Sequence, residues 1–200
     1  MYPHGLQVLS WLKLNTLEKN RFEMFVFFND GDHKQAGEKI IGQTGGFYQV
    51  PGNDLATVID TMIQAQKGGT GGDAQENDIE ALLYSQALCP SCQTLLLIAD
   101  AKSYVRDIQL VPELARRCAK NKQKLRIILC GAEKGLLEDY WYLAQMTGAS
   151  VHTLDRDIED ANQLPEGETI RMHGQSYQVY KNGLKLIKNP KGTKKNRQTP

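Results

Sequence analysis

The chain has 200 residues, with 24 basic against 23 acidic side chains and a formal net charge of +1. That length suits one domain able to bury a substantial core, and the balanced charge gives no whole-chain argument for nucleic acid or an anionic membrane. No run of about 18 apolar residues occurs, so no membrane span is expected.

The chain starts Met1-Tyr2-Pro3-His4-Gly5, without a basic segment leading into a long apolar one, so no secretory signal is expected. With four cysteines and no export signal, the expectation is a cytoplasmic chain with free thiols. Leu6, Val8, Leu9, Trp11, Leu12 and Leu17 recur near helical spacing and predict an amphipathic helix over residues 6–17. Residues 22–28, Phe-Glu-Met-Phe-Val-Phe-Phe, are apolar on both faces, as in a strand covered on both sides. Asn29-Asp30-Gly31-Asp32 ends that strand with strong turn chemistry, which explains the Asp30 and Asp32 pair without catalysis.

Residues 45–50 predict a short edge strand. Asn53 or Asp54 then caps a helix carrying Leu55, Val58, Ile59, Met62 and Ile63. The glycine-rich stretch 68–72 breaks it. Asp73, with Glu76 three residues later, makes a capping-box arrangement for the next helix, whose buried stripe is Ile79, Leu82 and Leu83. Residues 68–73 lack the Gly-Lys-Ser/Thr ending of a phosphate loop and carry an acid at the helix start, so no nucleotide site is expected there.

Three buried strands follow, over residues 95–99, 125–130 and 150–154. Helices over 111–119 and 137–146 separate them. This alternation predicts right-handed crossovers and a doubly wound, three-layer, mostly parallel sheet with helices on both faces. Cys89-Pro90-Ser91-Cys92 lies between a helix and a strand. It could be redox-active or half a zinc site, but a thioredoxin-like motif should sit at a helix N-terminus, zinc would need a second pair, and Cys118 and Cys130 have no pair spacing, so a plain loop is expected. His4, His33, His152 and His173 are scattered, and no motif places a Ser/His/Asp or Cys/His set.

After Pro165 short strands over 169–172, 175–180 and 184–187 predict a small meander, with Asn182-Gly183 as a hairpin turn. From Lys181 to Arg197 there are six Lys, one Arg and no acid. A solvated, disordered basic tail over 189–200 is expected rather than a nucleic-acid arm.

Taken in order, Phe27-Phe28-Asn29-Asp30-Gly31-Asp32, Gly45-Gly46-Phe47-Tyr48, the run from Gly71 to Leu82, Leu97-Ile98-Ala99-Asp100, Ile128-Leu129-Cys130-Gly131 and the run from Thr147 to Thr153 resemble the von Willebrand factor A (vWA) domain. The likeness is to a bacterial family built on that domain. It covers residues 1–155 and leaves 156–188 as a small β appendage. Each motif alone is unspecific; the order and spacing carry the resemblance.

The resemblance implies a Mg²⁺ or Mn²⁺ ion in a metal-ion-dependent adhesion site at the C-terminal edge of the sheet. Asp100 matches the Asp after the fourth strand of that fold, and Thr70 and Asp73 are both candidates for the second-loop ligand. The first Asp-x-Ser/Thr-x-Ser pattern is absent, as is the strand before it; the expectation is either a true start upstream of Met1 or a real loss of that strand. That strand would lie between the strands at 22–28 and 95–99, which must then close up or leave backbone groups unpaired. The implied function is protein binding, metal-assisted in a complete form and impaired in this chain, with a protein partner and no nucleic acid. The alternative is a metal-dependent hydrolase or phosphotransfer accessory enzyme using Asp100 and Asp73.

Overall fold

The computed structural model describes residues 10, 22–69, 74–131, 138–154, 156–172, 175–181 and 183–187. The helix expected over 6–17, apart from Ser10, and His4, His173 and the basic tail lie outside the described residues. The chain is mixed α/β, with sheets that are parallel in part.

The first unit is a strand pair with a helix. β1 (Met24–Phe28) runs antiparallel to β2 (Phe47–Pro51), pairing Met24 with Pro51 and Phe28 with Phe47. α1 (Leu55–Gly68) follows, its first turn capped by the Asp54 side chain, which accepts from Ala56 N at 3.0 Å. Val50 and Val58 form a small core with Phe25, Phe27 and Leu55. Between β1 and β2 the chain turns sharply. Asn29 Oδ1 accepts from Gly31 N and Asp32 N. Gly46 has φ +77°, and a Cβ there would sit 2.1 Å from Asn29 Oδ1, so no other residue fits.

β3 (Gln75–Glu76) precedes α2 (Asp78–Leu88). The expected capping box of Asp73 and Glu76 is therefore not what starts this helix. Asn77 occupies the N-cap position, Glu76 lies in a strand, and Asp73 is outside the described residues. The helical stripe is otherwise as expected: Ile79 and Leu82 are buried and Leu83 half-buried against the same core.

The main sheet has the order β4-β6-β7-β8, formed by Thr94–Asp100, Lys124–Cys130, Ser150–His152 and Asp157–Ile158. β4, β6 and β7 are parallel, with Leu95 opposite Leu125, Leu97 opposite Ile127 and Ala99 opposite Leu129. Those six residues are buried, whereas Leu96, Ile98 and Ile128 on the alternate face are half-buried. β8 returns antiparallel. The strand expected to run to Leu154 stops at His152, and Leu154 is 86 % exposed. The backbone turns there, with Thr153 N donating to Arg156 O at 2.9 Å.

β5 (Tyr104–Val105) pairs in parallel with β3. α3 (Val111–Asn121) connects β4 to β6 and packs against α2 and α4, while α4 (Glu138–Thr147) connects β6 to β7. Pro112 near the start of α3 removes no needed donor, and Lys122 at φ +55° ends that helix in the left-handed region. β9 (Thr169–Met172), β10 (Gln175–Tyr180) and β11 (Gly183–Ile187) form the meander. Gly183 pairs with Tyr180 and so belongs to β11, one residue off the expected turn. Ile170, Met172, Tyr177, Val179 and Leu184 join the same apolar cluster as the parallel sheet.

β1 and β4 do not close up on one another. Among the described residues each has one strand neighbour, β2 and β6 respectively. The β1–β2 pair meets α2 instead: Phe47 on β2 stacks on Tyr84 of α2 with ring centroids 4.9 Å apart.

Candidate functional site at the end of the parallel sheet

Asp100 is the last residue of β4, at the C-terminal end of the parallel strands and half-buried. The chain turns at once. Asp100 Oδ1 accepts from Lys102 N at 3.0 Å, Asp100 O accepts from Ser103 N, and Ala101 N donates to Cys130 O at 2.8 Å. The strand ladder thereby fixes the position of this carboxylate. Thr70 and Asp73, the other expected ligands, lie outside the described residues.

A set of acids clusters around the start of α2. Asp78, in the first turn of α2, is buried and accepts from Tyr140 Oη at 3.1 Å. Burial, then the charges of Glu76 and Asp107, push the Asp78 carboxyl well above the usual range. Burial likewise raises the Tyr140 phenol, helped by Asp78, Glu76 and Asp100, so it stays protonated.

Asp107 accepts from Ile79 N at 3.2 Å and Glu80 N at 2.5 Å. It supplies from a distant loop the cap that α2 lacks from its own Asn77 side chain. Burial raises its pKa to about 6, against the lowering effect of those N–H groups.

Asp30 and Asp32 part company in the folded chain. Asp30 is buried between Lys39 Nζ at 2.5 Å and Arg106 Nη2 at 3.2 Å. Asp32 faces outward and accepts from the Tyr48 hydroxyl, which raises the Tyr48 pKa. Glu80 binds the opposite loop, accepting from Gly42 N at 2.7 Å, Thr44 N at 2.9 Å and Thr44 Oγ1 at 2.9 Å. Asn77 Nδ2 donates to Gly45 O, while its Oδ1 is buried without a partner.

Mg²⁺ takes near-octahedral oxygens, usually one or two carboxylates with hydroxyls and waters. Among the described residues, no group of three or more His, Cys, Asp or Glu could hold a metal ion. Asp100 Oδ1 is engaged by the turn, and Asp30, Glu80 and Asp107 bind structural partners.

A signal for Asp78 and Glu80 was present, since two acids flank Ile79 where a helix start must be buried. Arg106 and Asp30 lie 76 residues apart, and no local pattern joins them.

The expected free thiols are corrected in part. Cys89 and Cys92 form a disulfide in place of the plain loop, while Cys118 and Cys130 are not disulfide-bonded. Among the described residues no helix is long and apolar enough to cross a membrane. Set against known protein families, curated proteins and solved structures, the chain matches none.

Proposed function

We propose that the chain is a protein-interaction module of vWA type that engages a protein partner at the C-terminal end of its parallel sheet, around Asp100. The observation that supports this reading is the placement of Asp100, a half-buried carboxylate fixed by the β4–β6 ladder at the end of the sheet where ligands of parallel α/β folds bind. The three-layer architecture, the cytoplasmic location and the Mg²⁺ or Mn²⁺ assistance belong to the same proposal. Metal assistance is taken to be impaired because the sequence lacks the first Asp-x-Ser/Thr-x-Ser pattern. Binding then rests on the shape and charge of the sheet edge.

Affinity enrichment with the full chain tests this, comparing wild type, Asp100→Arg and the distant control Lys122→Glu. A partner enriched by wild type and control but lost with Asp100→Arg supports the reading. Equal recovery by all three removes it.

A further inference from the structure

A second site lies at the opposite end of β4, where α2 hands over to the sheet. Cys89 caps the C-terminus of α2 and is bonded to Cys92, two residues before β4. Both half-cystines are half-exposed, and Pro90 and Ser91 between them are exposed.

A cavity of about 350 Å³ opens beside this loop, between α2 and α3. Pro90, Gln86, Arg116, Arg117 and Lys120 line it. Among the described lining residues three are cations and none is acidic, and neighbouring Glu113 binds Arg116 at 2.7 Å and Arg117 at 2.7 Å. The mouth therefore carries a local positive excess.

Below the cations the floor is built rather than incidental. Gln86 is 2 % exposed, and its Nε2 donates to Gln123 Oε1 at 3.0 Å and Cys118 Sγ at 3.2 Å. Gln123 Nε2 in turn donates to Cys89 O at 3.2 Å and Cys92 O at 2.9 Å, fixing the disulfide loop. Among the described residues the buried Gln86 Oε1 has no partner, which leaves an acceptor for a donor from outside the chain.

From the cavity, its cations, the orphan acceptor and the adjoining disulfide, we propose a thiol–disulfide exchange site for a peptide-sized thiol that carries carboxylates. The cations hold the carboxylates, and the amide oxygen accepts from a peptide N–H. The bound thiolate attacks Cys89 Sγ, the Sγ–Sγ bond breaks, and its electron pair goes to Cys92 Sγ, which takes a proton. Cys92 is the better leaving group because Cys89 sits at the negative end of α2. A second thiolate attacks the ligand sulfur of the mixed disulfide, and Cys89 leaves and is protonated. The sum is protein disulfide plus two thiols giving protein dithiol plus the ligand's disulfide. Cys118 takes no part, since burial raises its thiol pKa.

The test uses the full oxidised chain with glutathione, mercaptoethanol and the cationic thiol cysteamine, compared at equal thiolate concentration. Glutathione should react about tenfold faster than mercaptoethanol, with cysteamine slowest, and high salt should remove the difference. Charge reversal at two exposed positions, Arg116→Glu with Lys120→Glu, should invert that order. Offered glutathione disulfide, whose second glutathione leaves as the thiolate, Cys92→Ser should accumulate a glutathione adduct on the peptide containing Cys89. Rates that agree within about twofold for all three thiols, or a preference untouched by the charge reversal, would overturn the proposal. So would four free thiols in the purified protein.

Discussion

Replacing Asp107 with Ala tests how α2 is anchored beneath the proposed site. The change removes the acceptor of Ile79 N and Glu80 N. Two buried donors without partners cost about 2–6 kcal/mol together. It also removes a carboxyl that is harder to ionise in the fold than in the unfolded chain. Its pKa rises from 3.8 to about 6. The difference, 6 − 3.8 = 2.2, corresponds to about 3 kcal/mol. The unfolded chain gives up this proton first, so the native state holds more protons between pH 4 and 6. Asp107 therefore makes wild type lose stability as pH rises through that window, and the loss levels off above the folded pKa. The penalty of Asp107→Ala should then be greatest near pH 4 and smaller by about 3 kcal/mol at pH 7. Urea unfolding of both proteins at half-unit steps measures it, because titrations common to both cancel in the difference. Parallel stability curves from pH 4 to 7 would refute the reasoning.

Other substitutions read different links. Glu80→Ala strips the acceptor from Gly42 N, Thr44 N and Thr44 Oγ1, so it should lower stability by about 3–5 kcal/mol in urea unfolding and speed amide exchange at Gly42 and Thr44. Ile127→Ala opens a cavity in the middle of β6, where Ile127 is fully buried, and should cost about 2–5 kcal/mol by the same assay. Titrating the chain with Mn²⁺ in a calorimeter should give weak binding, in the millimolar range or beyond, that disappears in Asp100→Asn; tight binding retained by the variant would place the ion elsewhere.

The parallel strands were legible because Leu95-Leu96-Leu97-Ile98-Ala99 and Ile127-Ile128-Leu129 are apolar over lengths that suit strands, with helical patterns between them. Asp54 was legible as a cap because it immediately precedes a periodic apolar run. The start of α2 was not, because Gln75 and Glu76 pair with Tyr104 and Val105 nearly thirty residues later, and the helix takes its cap from Asp107. Leu154 read as strand by its apolar side chain, yet the turn closed by Thr153 and Arg156 leaves it in solvent.

At the candidate site, Asp100 could be placed from the strand it ends. The burial of Asp78 and the Asp30–Arg106 ion pair depend on contacts across the fold that no local spacing encodes. The Cys89–Cys92 spacing admitted a disulfide, but the cations beside it come from α3, a different segment of the chain.

The central claim is that a protein partner docks on the end of the sheet that carries Asp100. Hydrogen exchange of the full chain, alone and with the captured partner, tests it most directly. The account predicts added protection over residues 99–103 and at Gly131, and none on β9, β10 or β11. Protection confined to that meander, with residues 99–103 unchanged, would contradict it.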